Sequence, residues 1–199
     1  MLPIPIRKMH RVNLCASEEE RARLCALLTE AFRDDPISRW VYGSDVDSGH
    51  SILFREGLDV RRAAMTANGH GAIIWSEPPE CEAATPVRVE QDSESLTPWA
   101  DRLSILIQEF AVAEAKAVGD RHSVHVFYIG AHPKGGGHGS AVLRHVLAEA
   151  DRRKLPTYLE TPRNNIPFYE KHGFTVRAEG ALTHQKESVA FFAMVRDPR

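Results

Sequence analysis

Four glycines fall within five positions at Gly135-Gly136-Gly137-His138-Gly139, preceded by His132-Pro133-Lys134 and followed by Ser140. Such a run costs conformational entropy. In return the backbone can turn with positive φ or come close to a ligand. An apolar run precedes the glycines (Val124, Val126, Phe127, Tyr128, Ile129), and a helical pattern follows from Val142 to Arg153. The glycines therefore sit at a strand-to-helix junction. Outward N–H groups and the positive end of a helix dipole suit a phosphate there. The competing reading is a loose surface turn. The run is not a Walker loop, since no Gly-Lys-Ser/Thr follows at the required spacing. It is also a poor dinucleotide fingerprint, because the chain lacks repeated parallel strand–helix units.

The elements that must position this loop can be read along the chain. Residues 3–14 predict a first strand. Ser17-Glu18-Glu19-Glu20 is a capping box, followed by one apolar stripe through Leu24, Leu27, Leu28, Ala31 and Phe32. Asp35 before Pro36 ends that helix, and a short helical turn through Ile37, Trp40 and Val41 follows. Residues 44–50 read as a polar loop, then a helix from about 49 to 58. A strand at 60–67, the turn Asn68-Gly69-His70-Gly71 and a return strand at 72–75 form a hairpin. Residues 79–98 read as a surface connection. Leu103, Leu106, Ile107, Phe110, Ala113 and Ala117 mark a long helix. The central strand is 122–131. The helix after the glycines has the inner face Val142, Leu143, Val146, Leu147 and Ala150. A strand at 157–161, a short helix at 165–173, and strands at 174–176 and 189–195 around a loop at 180–187 complete the order. That order predicts a mixed sheet with one parallel crossover, an α/β or α+β fold.

With 199 residues the chain is long enough for a substantial core in one domain. A net charge of -2 gives no basic field, so no nucleic-acid partner is expected. The cysteines Cys15, Cys25 and Cys81 have no metal-ligand spacing and fit a reducing compartment. No segment approaches a membrane span and the N-terminus has no signal-peptide run, so a cytoplasmic protein is expected, with no membrane partner.

Two segments resemble one known family. Lys134-Gly135-Gly136-Gly137-His138-Gly139 resembles the Gln/Arg-x-x-Gly-x-Gly/Ala signature of the GNAT acetyl-CoA-dependent acyltransferases. Asn165-Ile166-Pro167-Phe168-Tyr169-Glu170, ending in Gly173-Phe174, resembles that family's second signature. Phe32-Arg33-Asp34-Asp35-Pro36, Ile74-Trp75-Ser76-Glu77-Pro78 and Tyr158-Leu159-Glu160-Thr161 are similar to the puromycin N-acetyltransferase-like branch. Lys134 departs from the family's Gln/Arg and directly follows Pro133, so the loop entrance is short.

The resemblance implies a GNAT fold: a mixed, largely antiparallel sheet of about six or seven strands flanked by helices. It implies one domain over 1–199, with 120–195 as its acetyl-CoA-binding half. N–H groups from Gly135 through Gly136, Gly137, His138 and Gly139 to Ser140 would wrap the pyrophosphate of coenzyme A, with Lys134 as a point charge. The strand end at Ile129 to Ala131 would pair with pantetheine. Asn165 and Phe168 would complete the cofactor site, although Asn165 could equally be a plain helix cap. No metal is expected.

Tyr169 would donate a proton to the departing thiolate, since a phenol with pKa near ~10 stays protonated at neutral pH; the alternative is aromatic packing beside Phe168. An alkyl ammonium is less than about one part in a thousand free amine at pH 7, so such an acceptor needs a base, whereas an amine of low pKa would need none. Glu160 is the first candidate, with His125, His132 and Glu77 behind it, and a bonded strand residue as its bland alternative. Asp34, Asp35, Trp40, Trp75 and Glu77 could line an acceptor pocket, or serve as a helix-ending turn and core. The expected activity is transfer of acetyl from acetyl-CoA to a small-molecule amine by direct attack in a ternary complex, in a monomer or homodimer. A protein or peptide lysine acetyltransferase and a non-catalytic acetyl-CoA-binding module are the alternatives.

Overall fold

The computed structural model describes residues 10–57, 61–78 and 98–199. Seven strands form one sheet: β1 (Val12–Leu14), β2 (Arg62–Thr66), β3 (Gly71–Ser76), β4 (Val124–Ala131), β5 (Thr157–Thr161), β6 (Thr175–His184) and β7 (Glu187–Arg196). Their order across the sheet is β1-β2-β3-β4-β5-β7-β6. Among the described residues only the β4–β5 pair is parallel; the other pairs are antiparallel. The helices are α1 (Glu18–Phe32), α2 (Pro36–Tyr42), α3 (Val46–Gly57), α4 (Ala100–Val118), α5 (His138–Arg152) and α6 (Ile166–Glu170). The expected mixed, largely antiparallel sheet flanked by helices is what forms.

Alternation along the strands sorts the core into faces. Leu159 and Met194 point to α5 and pack with Val142, Leu143, Val146 and Leu147. Tyr158, Ala193 and Val195 point the other way and pack with Leu103, Ala113 and Ala117 of α4. On that same side, Ala63, Ala72 and Ile74 pack with Leu24 and Leu28 of α1 and Phe54 of α3. The opposite face of the sheet is thus covered by two helical groups.

The capping box forms: Ser17 Oγ accepts from the Glu20 N–H at 3.2 Å, and Glu20 Oε2 accepts from the Ser17 N–H at 3.0 Å. Asp35 starts α2, its Oδ1 accepting from the N–H groups of Ile37 at 3.0 Å and Ser38 at 2.9 Å. One turn between α1 and α2 therefore has both an exit and an entry signal.

Several boundaries differ from the sequence expectations. Within the described part of 3–14 only Val12–Leu14 is strand, and residues 1–9 lie outside the described residues, as do 79–97 of the expected surface connection. The polar stretch 44–50 is largely the start of α3. Asp47 stands in the first turn, where an acid complements the helix dipole, and Val46 is buried. The expected loop at 180–187 is instead a continuous hairpin, paired through Thr183↔Ser188 and His184↔Glu187. Its tight turn uses Gln185 at φ 55 rather than glycine, which leaves no turn signature to read. The short helix splits into a 3-10 turn, Arg163–Asn165, and α6. Asn165 stands at the expected N-cap position of α6 but makes no side-chain cap bond.

Candidate active site

β4 and β5 run together only briefly. Val124 pairs with Thr157 and His125 with Tyr158; β4 then continues to Ala131 and β5 to Thr161 with no further pairing between them. On the other edge of β4 the register with β3 shifts between Ile74 and Trp75, which face Tyr128 and Val126 and leave Phe127 unmatched. Such a bulge bends a strand and sharpens its twist. A cavity of about 260 Å³ occupies the parting. Ile129, Glu160, Asn165 and Tyr169 line it, as does Asp35 from the start of α2.

A polar network lies in this cavity. Glu160 Oε2 stands 2.9 Å from His125 Nε2, and Glu160 Oε1 accepts from the Tyr158 hydroxyl at 2.9 Å. An ionised carboxylate only accepts, so Nε2 is the donor of this bond and the second ring nitrogen is Nδ1. That nitrogen lies 3.8 Å from Glu114 Oε1 of α4. The side chains of Glu160 and His125 are 5% and 11% exposed. Burial pushes the Glu114 carboxyl above its ordinary value, His125 works against that, and the Glu160 charge adds to it. Burial, then the Glu160 carboxylate, raises the Tyr158 phenol well above its usual range. Tyr128 is pushed up to about 12 by burial.

Tyr169 is also buried. Desolvation raises its phenol above the ordinary value, the Thr161 hydroxyl works the other way, and Asp35 adds to the rise. It therefore stays protonated at neutral pH. Phe168 stands edge-on to it, ring centroids 5.0 Å apart. Burial likewise raises the Asp35 carboxyl, against the pull of the Ser38 and Ile37 hydrogen bonds and of the nearby Lys134.

The glycine loop lies past the far end of β4. Gly135 and Gly137 are left-handed, at φ 93 and 78, so a side chain at either would strain the backbone. Gly137 is the N-cap of the 15-residue α5 and offers no side-chain acceptor to its first-turn N–H groups. The His138 side chain is buried between His10 and His70, at 4.1 and 5.2 Å between centroids, so this residue presents backbone at the helix start. A Cβ on Gly71 of β3 would come within 2.9 Å of the His138 backbone, which explains how closely β3 approaches the loop. Ser140 Oγ meets His172 Nε2 at 3.0 Å. A Cβ on Gly139 would stand 3.7 Å from Phe168 and 3.8 Å from Ala131, so a larger side chain would fill the gap between them. Lys134 is exposed.

Four of the five expected acceptor residues do not line the cavity. The Trp75 indole N–H donates to Glu77 Oε1 at 2.9 Å, and Arg153 holds the other Glu77 oxygen at 2.6 Å, on the α5 side of the sheet. This clamp takes Glu77 away from the base position. Asp34 is exposed and pairs with Arg39. Trp40 packs in the α4 core with Arg102 stacked over it, 5.2 Å from its ring centroid. His132 does not line the cavity either. The residue missed from the sequence is Glu114. It follows Phe110 by one helical turn and precedes Ala117 by three residues, so an acid inside an apolar stripe was the available signal.

A profile of the acetyltransferase (GNAT) family matches residues 72–174. The chain belongs to the GNAT acetyltransferase family. Solved structures agree in fold. A histone acetyltransferase HPA2 and related acetyltransferase from Corynebacterium glutamicum is 20% identical, with a TM-score of 0.64 over 96% of this chain and 97% of that one. The Drosophila melanogaster polyamine N-acetyltransferase, named for forming N-acetylagmatine, is 10% identical, with a TM-score of 0.66 over 94% and 100%. The ribosomal-protein-alanine N-acetyltransferase of Brucella melitensis is 16% identical, with a TM-score of 0.55 over 94% and 99%. At these identities the likeness is one of fold.

GNAT acetyltransferases use acetyl-CoA, and the loop residues of this one fit its pyrophosphate: a long helix whose N-terminus has no side-chain cap, entered through left-handed glycines. Among the described residues no helix is long and apolar enough to cross a membrane.

Proposed function

We propose that this acetyltransferase moves the acetyl group of acetyl-CoA onto the amine of a small molecule by direct attack in a ternary complex. The observation that carries this is the β4–β5 parting, where one cavity holds a protonated buried phenol, Tyr169, and a hydrogen-bonded imidazole–carboxylate pair, His125 and Glu160. Bound acetyl-CoA supplies an activated thioester. The N–H groups from Gly135 to Ser140 hold its pyrophosphate with Lys134 nearby, and the unpaired edge of β4 from Ile129 to Ala131 holds its pantetheine arm. Asn165 and Phe168 flank that arm. Asp35 lines the acceptor side.

Glu160, through His125, takes one proton from the acceptor ammonium. Nitrogen then bonds to the acetyl carbon as the carbon–sulfur bond breaks. Tyr169 gives its proton to sulfur, and the proton that nitrogen sheds on becoming an amide restores the phenol. The small-molecule assignment draws on the resemblance of residues 32–36 and 158–161 to the puromycin-acetylating branch, and on neighbours named for polyamine and agmatine acetylation.

Two measurements test this. Saturating acetyl-CoA should raise the melting temperature through linkage; no shift would sink the cofactor assignment. Coenzyme A release should be faster with small amines than with a lysine peptide. The reverse preference would replace the small-molecule reading with peptide acetylation.

A further inference from the structure

The cavity is divided in its chemistry. One wall is a face of α4 on which Leu103, Leu106, Ile107 and Phe110 recur at helical spacing. Phe127 of β4 adds an aromatic ring, stacked on His125 with centroids 4.0 Å apart and with the Arg61 guanidinium 3.6 Å from its centroid, so one cation of the protein lines the cavity beside it. The α4 stripe ends at Glu114, one turn beyond Phe110. Negative charge is therefore concentrated at one end, where Glu114 and Glu160 stand on two sides of the His125 ring. The third acid lining the cavity is Asp35, whose Oδ1 already accepts from the Ile37 and Ser38 N–H groups and from the Ser38 hydroxyl at 3.2 Å. No other carboxylate is among the described lining residues.

A ligand with one cation and an apolar body matches that division. A second cation would lie along Leu103 to Phe110 without a counter-charge, and an unpaired, desolvated ammonium is among the costliest groups to bury. We infer that the acceptor is a primary monoamine with an aromatic or branched apolar body, of the arylalkylamine class. Its ammonium sits at Glu114 and the Nδ1 side of His125, with Glu160 behind the ring, and its body lies on the α4 face. This rests on the amine-acetylation reading above. It narrows that reading away from the polyamine and agmatine for which two structural neighbours are named.

The test compares phenethylamine and tryptamine with spermidine and agmatine, by coenzyme A release and by thermal shift of the protein saturated with coenzyme A. The arylalkylamines should give a kcat/KM at least about tenfold higher, the scale on which a pocket separates substrates by apolar fit. Glu114→Gln should raise the phenethylamine KM about tenfold and leave the acetyl-CoA KM unchanged. Leu106→Asp, which adds a counter-charge halfway along the apolar wall, should shift the preference toward agmatine. Equal or better use of agmatine or spermidine by the unaltered protein overturns the inference, as does an unchanged KM in Glu114→Gln.

The thermal shift separates the two layers of argument. If acetyl-CoA stabilises the protein and neither arylalkylamine does, the inference falls and the transfer reading stands. If acetyl-CoA gives no shift, the transfer reading falls. Stabilisation by phenethylamine alone then still supports the cavity assignment, and its absence removes that too.

Discussion

The glycine loop and the acceptor cavity lie toward opposite ends of the stretch of β4 that β5 leaves unpaired, and they are built on different scales. The loop is contiguous, from His132 to Ser140, and acts through backbone: left-handed Gly135 and Gly137 and a helix start with no side-chain cap. The cavity draws Asp35, Glu114, His125, Glu160 and Tyr169 from five separate segments and acts through side chains. A backbone site tolerates much change of side chain so long as its dihedrals survive. A side-chain site fails when any one packed element shifts. Damage to the two should therefore look different in kinetics.

The sharpest separation should come from Tyr169→Phe. It should lower kcat about 10- to 1000-fold, the range of lost acid catalysis, while acetyl-CoA still raises the melting temperature as before. Unchanged turnover would remove Tyr169 from the mechanism and leave it as packing between Phe168 and Phe174.

On the loop side, Gly137→Val places a β-branched residue at φ 78, at a cost of about 1–2 kcal/mol. The acetyl-CoA KM should rise about tenfold or more and the amine KM should stay put. An effect on the amine alone would break the division between loop and cavity.

The flanks of the site should also differ in their response to acid. His50 is buried in the cavity lining, its Nε2 2.9 Å from Ser38 Oγ, and desolvation lowers its pKa to about 4. Its folded value lies below its unfolded one near ~6.5, so as pH falls through that window the unfolded chain takes up a proton that the fold refuses. Stability should drop by roughly 2 kcal/mol between pH 7 and 5 on this account. His50→Asn should flatten that slope, as followed by urea unfolding. Behind the α5 face, Asp151 is held below its ordinary value, chiefly by hydrogen bonds from Arg196, with burial opposing. Its contribution is present above the unfolded carboxylate value and is lost only as pH falls through the lower folded one. Asp151→Asn should leave the pH 7-to-5 slope as it is.

The smallest effect should fall far from both regions. Ser17→Ala removes the oxygen that accepts from the Glu20 N–H and should cost about 1 kcal/mol of stability with kinetics unchanged. A kinetic effect would mean that the entry of α1 couples to the cavity.

Local chemistry is what the chain announces about itself. The capping box at Ser17, the Asp35-Pro36 junction, the inner face of α5 and the glycine run each depend on neighbours a few residues away, so residue type and spacing specify them. The β6–β7 turn was illegible because Gln185 reaches positive φ without glycine or asparagine. The start of α3 was misread because Asp47, Ser48 and Gly49 suit a loop and a first helical turn alike. Trp75 and Glu77 had the right types for an acceptor pocket, but alternation along β3 and the reach of Arg153 put them on the α5 side of the sheet.

From sequence alone came the strand–loop–helix at 124–153, the paired signatures and the family they resemble, because such features are encoded by backbone dihedrals and short-range spacing. Only the tertiary structure decided the acceptor side. Where β4 leaves β5 depends on a bulge at Phe127, and the approach of Glu114 to His125 depends on how α4 packs across the sheet. Those are contacts between residues distant in sequence, settled by the packing of the whole chain.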